Sequence, residues 1–197
     1  MGRGRGGGAG VASRSGGVVA VATAAAAALT LSSCGNYVDM TVYDYRGGLA
    51  LGMDGNGDVI VHIEACQYRV TAIPVVQGRE LLGGEPNPRL GHIVTDQPQT
   101  GRFEVNLSNP QAPWRAEQPL TEPPDPGHIM IVSARTDGSV SQKKEVIGQE
   151  SASRTVLEAL APGEVVINVW NEKREPGDPP LRDEVIRLDE FRPECPE

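Results

Sequence analysis

From Val38 onward the chain is a succession of short runs in which apolar and polar residues alternate, each broken within a few residues by glycine or proline. Alternation at period two belongs to a strand with one buried face, and runs this short leave no room for long amphipathic helices. Val38–Tyr43 (VDMTVY) opens the series. Leu49–Met53 and Val59–Cys66 (VIVHIEAC) predict two strands joined by the turn sequence Asp54-Gly55-Asn56-Gly57-Asp58. Tyr68–Val76 predicts a third, with Pro74 pointing to a sheet edge or a bend. His128–Ala134, a run near Lys144–Ile147, Glu164–Trp170 and Glu184–Leu188 follow, while Ser153–Leu160 reads as a short helix or strand. About eight to ten short strands separated by turns predict an all-β chain folded as a sandwich.

Residues Gly83 to Gly127 break this rhythm. They hold nine prolines around one credible strand, Gly101–Leu107 (GRFEVNL), and are expected to form a long loop region, a kind of segment that often carries function. With 24 glycines and 16 prolines in 197 residues, the chain stays below the content that marks low complexity, so turns between strands account for them better than disorder. The length fits a single domain.

Charge is unevenly placed. The first 33 residues carry Arg3, Arg5 and Arg14 and no acid, which leaves 15 basic and 26 acidic groups, a net of -11, for the remainder. An acidic body argues against a nucleic-acid partner bound through phosphate, which needs clustered Lys and Arg, and against electrostatic adsorption to anionic lipid.

The basic start has a further meaning. Met1 to Gly17 is glycine-rich and free of acid, Val18–Leu31 (VVAVATAAAAALTL) is uncharged over 14 residues, and Leu31-Ser32-Ser33-Cys34 follows. A charged start, a short apolar core and small residues at a cut site define a secretory signal, and the core is shorter than the roughly 20 residues of a spanning helix. The last four residues resemble the lipobox of bacterial lipoproteins: an aliphatic residue, two small ones, then cysteine. The resemblance implies removal of residues 1–33 as a signal peptide, a lipid group on the Cys34 thiol, and residues 34–197 as one domain tethered to the outer face of the cell membrane. Acyl chains on Cys34 would supply the anchor. The absence of an Arg-Arg pair favours the general secretory route.

Lipidation of Cys34 would account for one of the three cysteines and leave Cys66 and Cys195. Outside the cytoplasm these two are expected to form a disulfide that ties down Phe191–Glu197; a pair of metal-binding thiols is the other reading.

A second resemblance lies near the end of the chain. Leu157-x-x-Leu160-Ala161-Pro162-Gly163-Glu164-Val165-Val166-Ile167-Asn168-Val169 resembles the segment entering a late strand of fibronectin-III and related immunoglobulin-like domains. There an apolar residue and a Pro-Gly turn lead into an alternating strand. Val166 stands where that family commonly carries tyrosine. The resemblance implies an immunoglobulin-like β-sandwich, its excess length taken up by the proline-rich insertion at about 83–127.

Motifs for chemistry are sparse. Asp54, Asn56 and Asp58 occupy the first, third and fifth places of a calcium loop, but Val59 and Ala65 stand where glycine and glutamate are needed, so a hairpin turn is expected. His62, His92 and His128 would bind zinc or copper only if strand pairing brought them together. Trp114 reads either as an exposed anchor for a partner or sugar or as cover for a corner of the core. No G-x-S-x-G elbow, S-x-x-K motif or free Cys–His pair is present. No catalytic, cofactor or metal residue is therefore assigned. The sequence points to a non-enzymatic binding or scaffolding module facing an envelope protein or cell-wall polymer. A solute- or metal-binding lipoprotein, or an envelope enzyme without recognisable motifs, are the alternatives.

Overall fold

Among the described residues the chain forms ten strands and one short helix. The computed structural model describes residues 47–78, 86–138, 146–173, 175 and 178–195, which belong to one compact unit, Asp44–Glu197. The expected signal segment, Cys34 and the run Val38–Tyr43 lie outside the described residues. In chain order the strands are β1 Gly48–Met53, β2 Val59–Glu64, β3 Val70–Gln77, β4 Arg89–Gln99, β5 Arg102–Asn106, β6 Arg115–Gln118, β7 Ile129–Thr136 and β8 Val146–Ser153, then β9 Glu164–Trp170 and β10 Leu181–Arg187. Helix α1, Arg154–Glu158, stands between β8 and β9 and is capped by the Ser153 hydroxyl, which accepts from the Val156 N–H.

The strands form two antiparallel sheets of five, in the orders β10-β9-β1-β2-β5 and β6-β4-β3-β7-β8. This is the expected all-β sandwich, sharing with immunoglobulin-like domains the packing of two antiparallel layers face to face. Alternation explains which side chains fill the space between them. Leu49 and Leu51 of β1, Val59, Val61 and Ile63 of β2, Ile73 and Val75 of β3, and Met130 and Val132 of β7 are buried in one cluster. The expected hairpin joins β1 to β2. The Asp54 carboxylate accepts from the Asn56 and Asp58 N–H groups, and Gly57 takes the positive φ of 85° that the reversal requires.

Three expectations are corrected. The stretch at 83–127, expected as a loop around one strand, carries three: β4, β5 and β6. Its prolines sit mostly between strands, and β4, at 11 residues, is the longest strand among the described residues. Pro74 lies in the middle of its sheet, not at an edge: β3 is flanked by β4 and β7. It pairs with His92 of β4, and on the other side the ladder to β7 is interrupted between Ala72↔Arg135 and Val75↔Val132, where proline has no N–H to give. The run expected near Lys144–Ile147 extends as β8 through Ser153.

The outer face of the first sheet is not wholly open to solvent. Ala50, Val165 and Phe191 are buried there as a second cluster, with Ile167, Ile186 and Leu188 packed against it. Phe191 belongs to the segment after β10, which turns back across β1 as a strap. The Gly47 N–H donates to the Glu194 carbonyl, and Arg102 donates to the carbonyls of Leu188 and Phe191 while its guanidinium lies 5.7 Å from the Phe191 ring centre. A Cβ on Gly48 would fall 2.8 Å from Pro193 Cγ, so glycine is what lets the strap lie this close. Its end is pinned by the expected disulfide, Cys66–Cys195, with Cα atoms 5.5 Å apart.

Candidate functional site

Where the strap crosses β1, it leaves a groove between itself, the turn before β9 and strands β2 and β5. The groove has two adjoining lobes of about 590 and 550 Å3 that share His62, Phe103, Glu104, Gly163 and Leu188 as walls. Volumes of this size lie in the range of small-ligand sites. Both strands contribute through alternation: Val61 and Ile63 turn into the core, so His62 between them faces out, and its cross-strand partner Glu104 faces out beside it. Gly52 lies in the floor, where a Cβ would stand in tight contact with Val165 Cγ1, at 3.3 Å, and in ordinary contact with His62 Nε2, at 3.5 Å.

The first lobe is basic, being lined by Arg102, Arg187 and Arg192 against Glu104 and Asp189. Glu104 Oε2 lies 3.4 Å from His62 Nδ1. Burial holds the His62 imidazole below its ordinary value; Glu104 pulls it upward and Arg102 pushes it further down. His62 is therefore a neutral ring at pH 7, able to donate from one nitrogen and accept at the other. The second lobe sets Met53, Ile60, Phe103, Pro113 and Trp114 beside three acids, Asp54, Glu104 and Glu164, and no arginine or lysine among the described residues lines it.

Trp114 proves to be cover for the core. Only 6% exposed, it stacks on Phe103 with ring centres 5.9 Å apart and forms the back of the second lobe. The three histidines are not brought together. His62 lies on the first sheet, His92 on β4 of the second beside Glu117, and His128 precedes β7, bonded to Gln77. Among the described residues the one group with metal-ligand spacing is Glu64, Cys66 and Cys195, and both sulfurs there are already joined to each other.

A second polar cluster lies where β8 meets β9. The Asn168 side chain bonds both main-chain groups of Ser151: its Oδ1 accepts from the Ser151 N–H at 2.8 Å and its Nδ2 donates to the Ser151 carbonyl at 3.0 Å. The same amide accepts from the Ser151 hydroxyl and donates to Asp183. The Asn168 N–H donates to the Glu150 carboxylate at 2.6 Å. Burial pushes the Glu150 carboxyl up to about 8, against the pull of that N–H, and Asp183 adds to the rise. Asp183 is itself raised by desolvation, opposed by its bond from Asn168. Because β8 is an edge strand, this cluster is better explained as structural than as a catalytic acid: it occupies the main-chain groups of Ser151, which would otherwise be open to pairing with another chain.

Sequence reasoning missed the arginines of the groove and Glu150. Arg102 lies far from Arg187 and Arg192 in the chain, and no spacing rule joins them. Glu150 is a lone acid on a polar stretch of strand.

Among the described residues no helix is long and apolar enough to cross a membrane. No family model, no curated protein and no solved structure matches the chain.

Proposed function

We propose that the chain is a lipid-anchored binding module of a bacterial envelope. It is cleaved before Cys34, held on the outer face of the membrane by lipid on that cysteine, and holds another envelope component without turning it over. The groove on the first sheet is the observation that carries the binding reading. It is large enough for a ligand and walled by a covalently pinned strap. The anchor reading is supported by the lipobox-like Leu31-Ser32-Ser33-Cys34 behind an uncharged core. Export also agrees with a disulfide, a bond that persists in oxidising compartments.

Crosslinking on intact cells followed by mass spectrometry tests both parts, with the native chain compared with Cys34→Ser. The expected outcome is a dominant crosslinked envelope component in the native chain that disappears in the variant, because a tether raises the local concentration of the module at the membrane. The same component captured equally by both forms would remove the need for the anchor. Robust hydrolysis of cell-wall material by the homogeneous protein would replace the binding reading with an enzymatic one.

A further inference from the structure

The basic lobe of the groove stands out in a chain whose charge is otherwise strongly acidic. Its three arginines differ in how their charge is met. Arg102 commits its Nη2 donors to the carbonyl oxygens of Leu188 and Phe191, which leaves its full charge in place. Arg187 meets Asp189 at 3.3 Å, with both side chains well exposed, a pair too weak to compete with a better anion. Arg192 has no carboxylate partner among the described residues. Three arginines against two acids, Glu104 and Asp189, leave this lobe an excess of positive charge that attracts a counter-ion. The planar guanidinium fork matches the oxygens of a phosphate or carboxylate, two bonds at a time.

We propose that this lobe binds an oxyanion, a phosphate or carboxylate group held by Arg187 and Arg192 with His62 at the floor, while the neutral remainder of the ligand lies along Phe103 in the adjoining lobe. The inference rests on the groove being the binding site of the module and specifies what it takes. Arg102 serves here as a positioning residue: by holding Leu188 and Phe191 it sets the strap that carries Asp189 and Arg192. Oxyanions of this kind occur both on free solutes and along acidic polymers, and the lobe, being open at the surface, admits an end or a repeating unit of either.

Equilibrium dialysis of the full chain in neutral detergent, at low salt, tests the proposal with inorganic phosphate, glucuronate and polygalacturonate as probes. Saturable binding of at least one probe is expected, weakened about tenfold or more in Arg187→Ala/Arg192→Ala and reduced by added salt. Arg69→Ala, which removes a cation paired with Asp137 away from the groove, is expected to bind as the native chain does. Tighter binding per charged group for polygalacturonate than for glucuronate assigns a polymer; equal binding, or phosphate alone, assigns a free solute. No saturable binding of any probe, or equal loss in the Arg69 variant, would overturn the proposal. If cell crosslinking still captures a partner in that case, the binding-module reading stands and only the ligand class fails.

Discussion

Asn168 does more than its place in a strand requires. It sits within an alternating apolar run, Val165-Val166-Ile167-Asn168-Val169, where a polar side chain facing the interior would ordinarily be a liability. The free edge of β8 resolves this: one amide supplies the donor and the acceptor that the Ser151 main chain lacks on that side. The two sheets are thereby joined by hydrogen bonds, and the edge is closed at Ser151 to pairing with another chain. Truncation should be costly because it leaves both Ser151 groups and the nearby hydroxyl to find other partners. Asn168→Ala is expected to lower stability by about 2–3 kcal/mol, read as a fall in the urea midpoint with little change in the slope. Ser151→Ala, which removes one hydroxyl bond and leaves the main-chain pairing intact, should cost less than half as much. Equal losses in the two variants would show that the amide does not close the edge.

At the scale of elements, the strap after β10 links stability to the groove. Its anchor residues are Phe191, buried against Ala50 and Val165, and Cys195, joined to Cys66 across a sequence separation of 129. Chain-entropy reasoning assigns about 5 kcal/mol to closing a loop of that length. Cys66→Ser/Cys195→Ser is therefore expected to lower stability by about 3–5 kcal/mol and to admit protease at the Arg192–Glu194 end of the strap before the sheets unfold. Cleavage appearing first elsewhere would show that the strap holds without its covalent pin. Most elements were legible because alternation is a local signal: the hairpin of β1 and β2, and β9 from Glu164 to Trp170, appear in the chain much as they fold. Strand β4 was obscured by neighbouring prolines and by a register shift near Leu90, which puts Leu90 and Ile93 on one face and breaks the period of two. Strand β6, Arg-Ala-Glu-Gln, is a half-exposed edge with hardly any apolar pattern to find. The groove was illegible for a different reason. Its walls come from β2, β5 and the strap, and what brings them together is the path of the strap, which no local pattern encodes.

For the molecule as a whole, the buried acid on β8 sets how stability responds to pH. Glu150 titrates at about 8 when folded and near its ordinary value of 4.5 when unfolded. Between those limits the folded chain keeps a proton that the unfolded chain releases, so this group's contribution falls steadily as pH rises and levels off above about 8. Asp183, also raised, acts in the same direction over a window that begins lower, near its ordinary value. His62 acts in the opposite sense: lowered by burial, it favours the folded state as pH rises toward its ordinary 6.5. The lowered carboxyl of Asp54 adds stability that is lost only as pH drops below its ordinary value of 3.8, outside the range of interest. Because His62 and Glu150 oppose each other, the difference between native chain and Glu150→Gln isolates the acid better than the native profile alone. The amide cannot ionise, yet its oxygen still accepts from the Asn168 N–H. Glu150→Gln is expected to match the native chain within about 1 kcal/mol at pH 5 and to gain on it progressively up to pH 8, as urea midpoints measured at unit steps of pH would record. A constant offset across that range would mean that the Glu150 carboxyl is already ionised in the folded protein. The cluster would then be an ordinary ion-accepting edge, and acid would weaken the joint between the sheets where the present arrangement has it tighten.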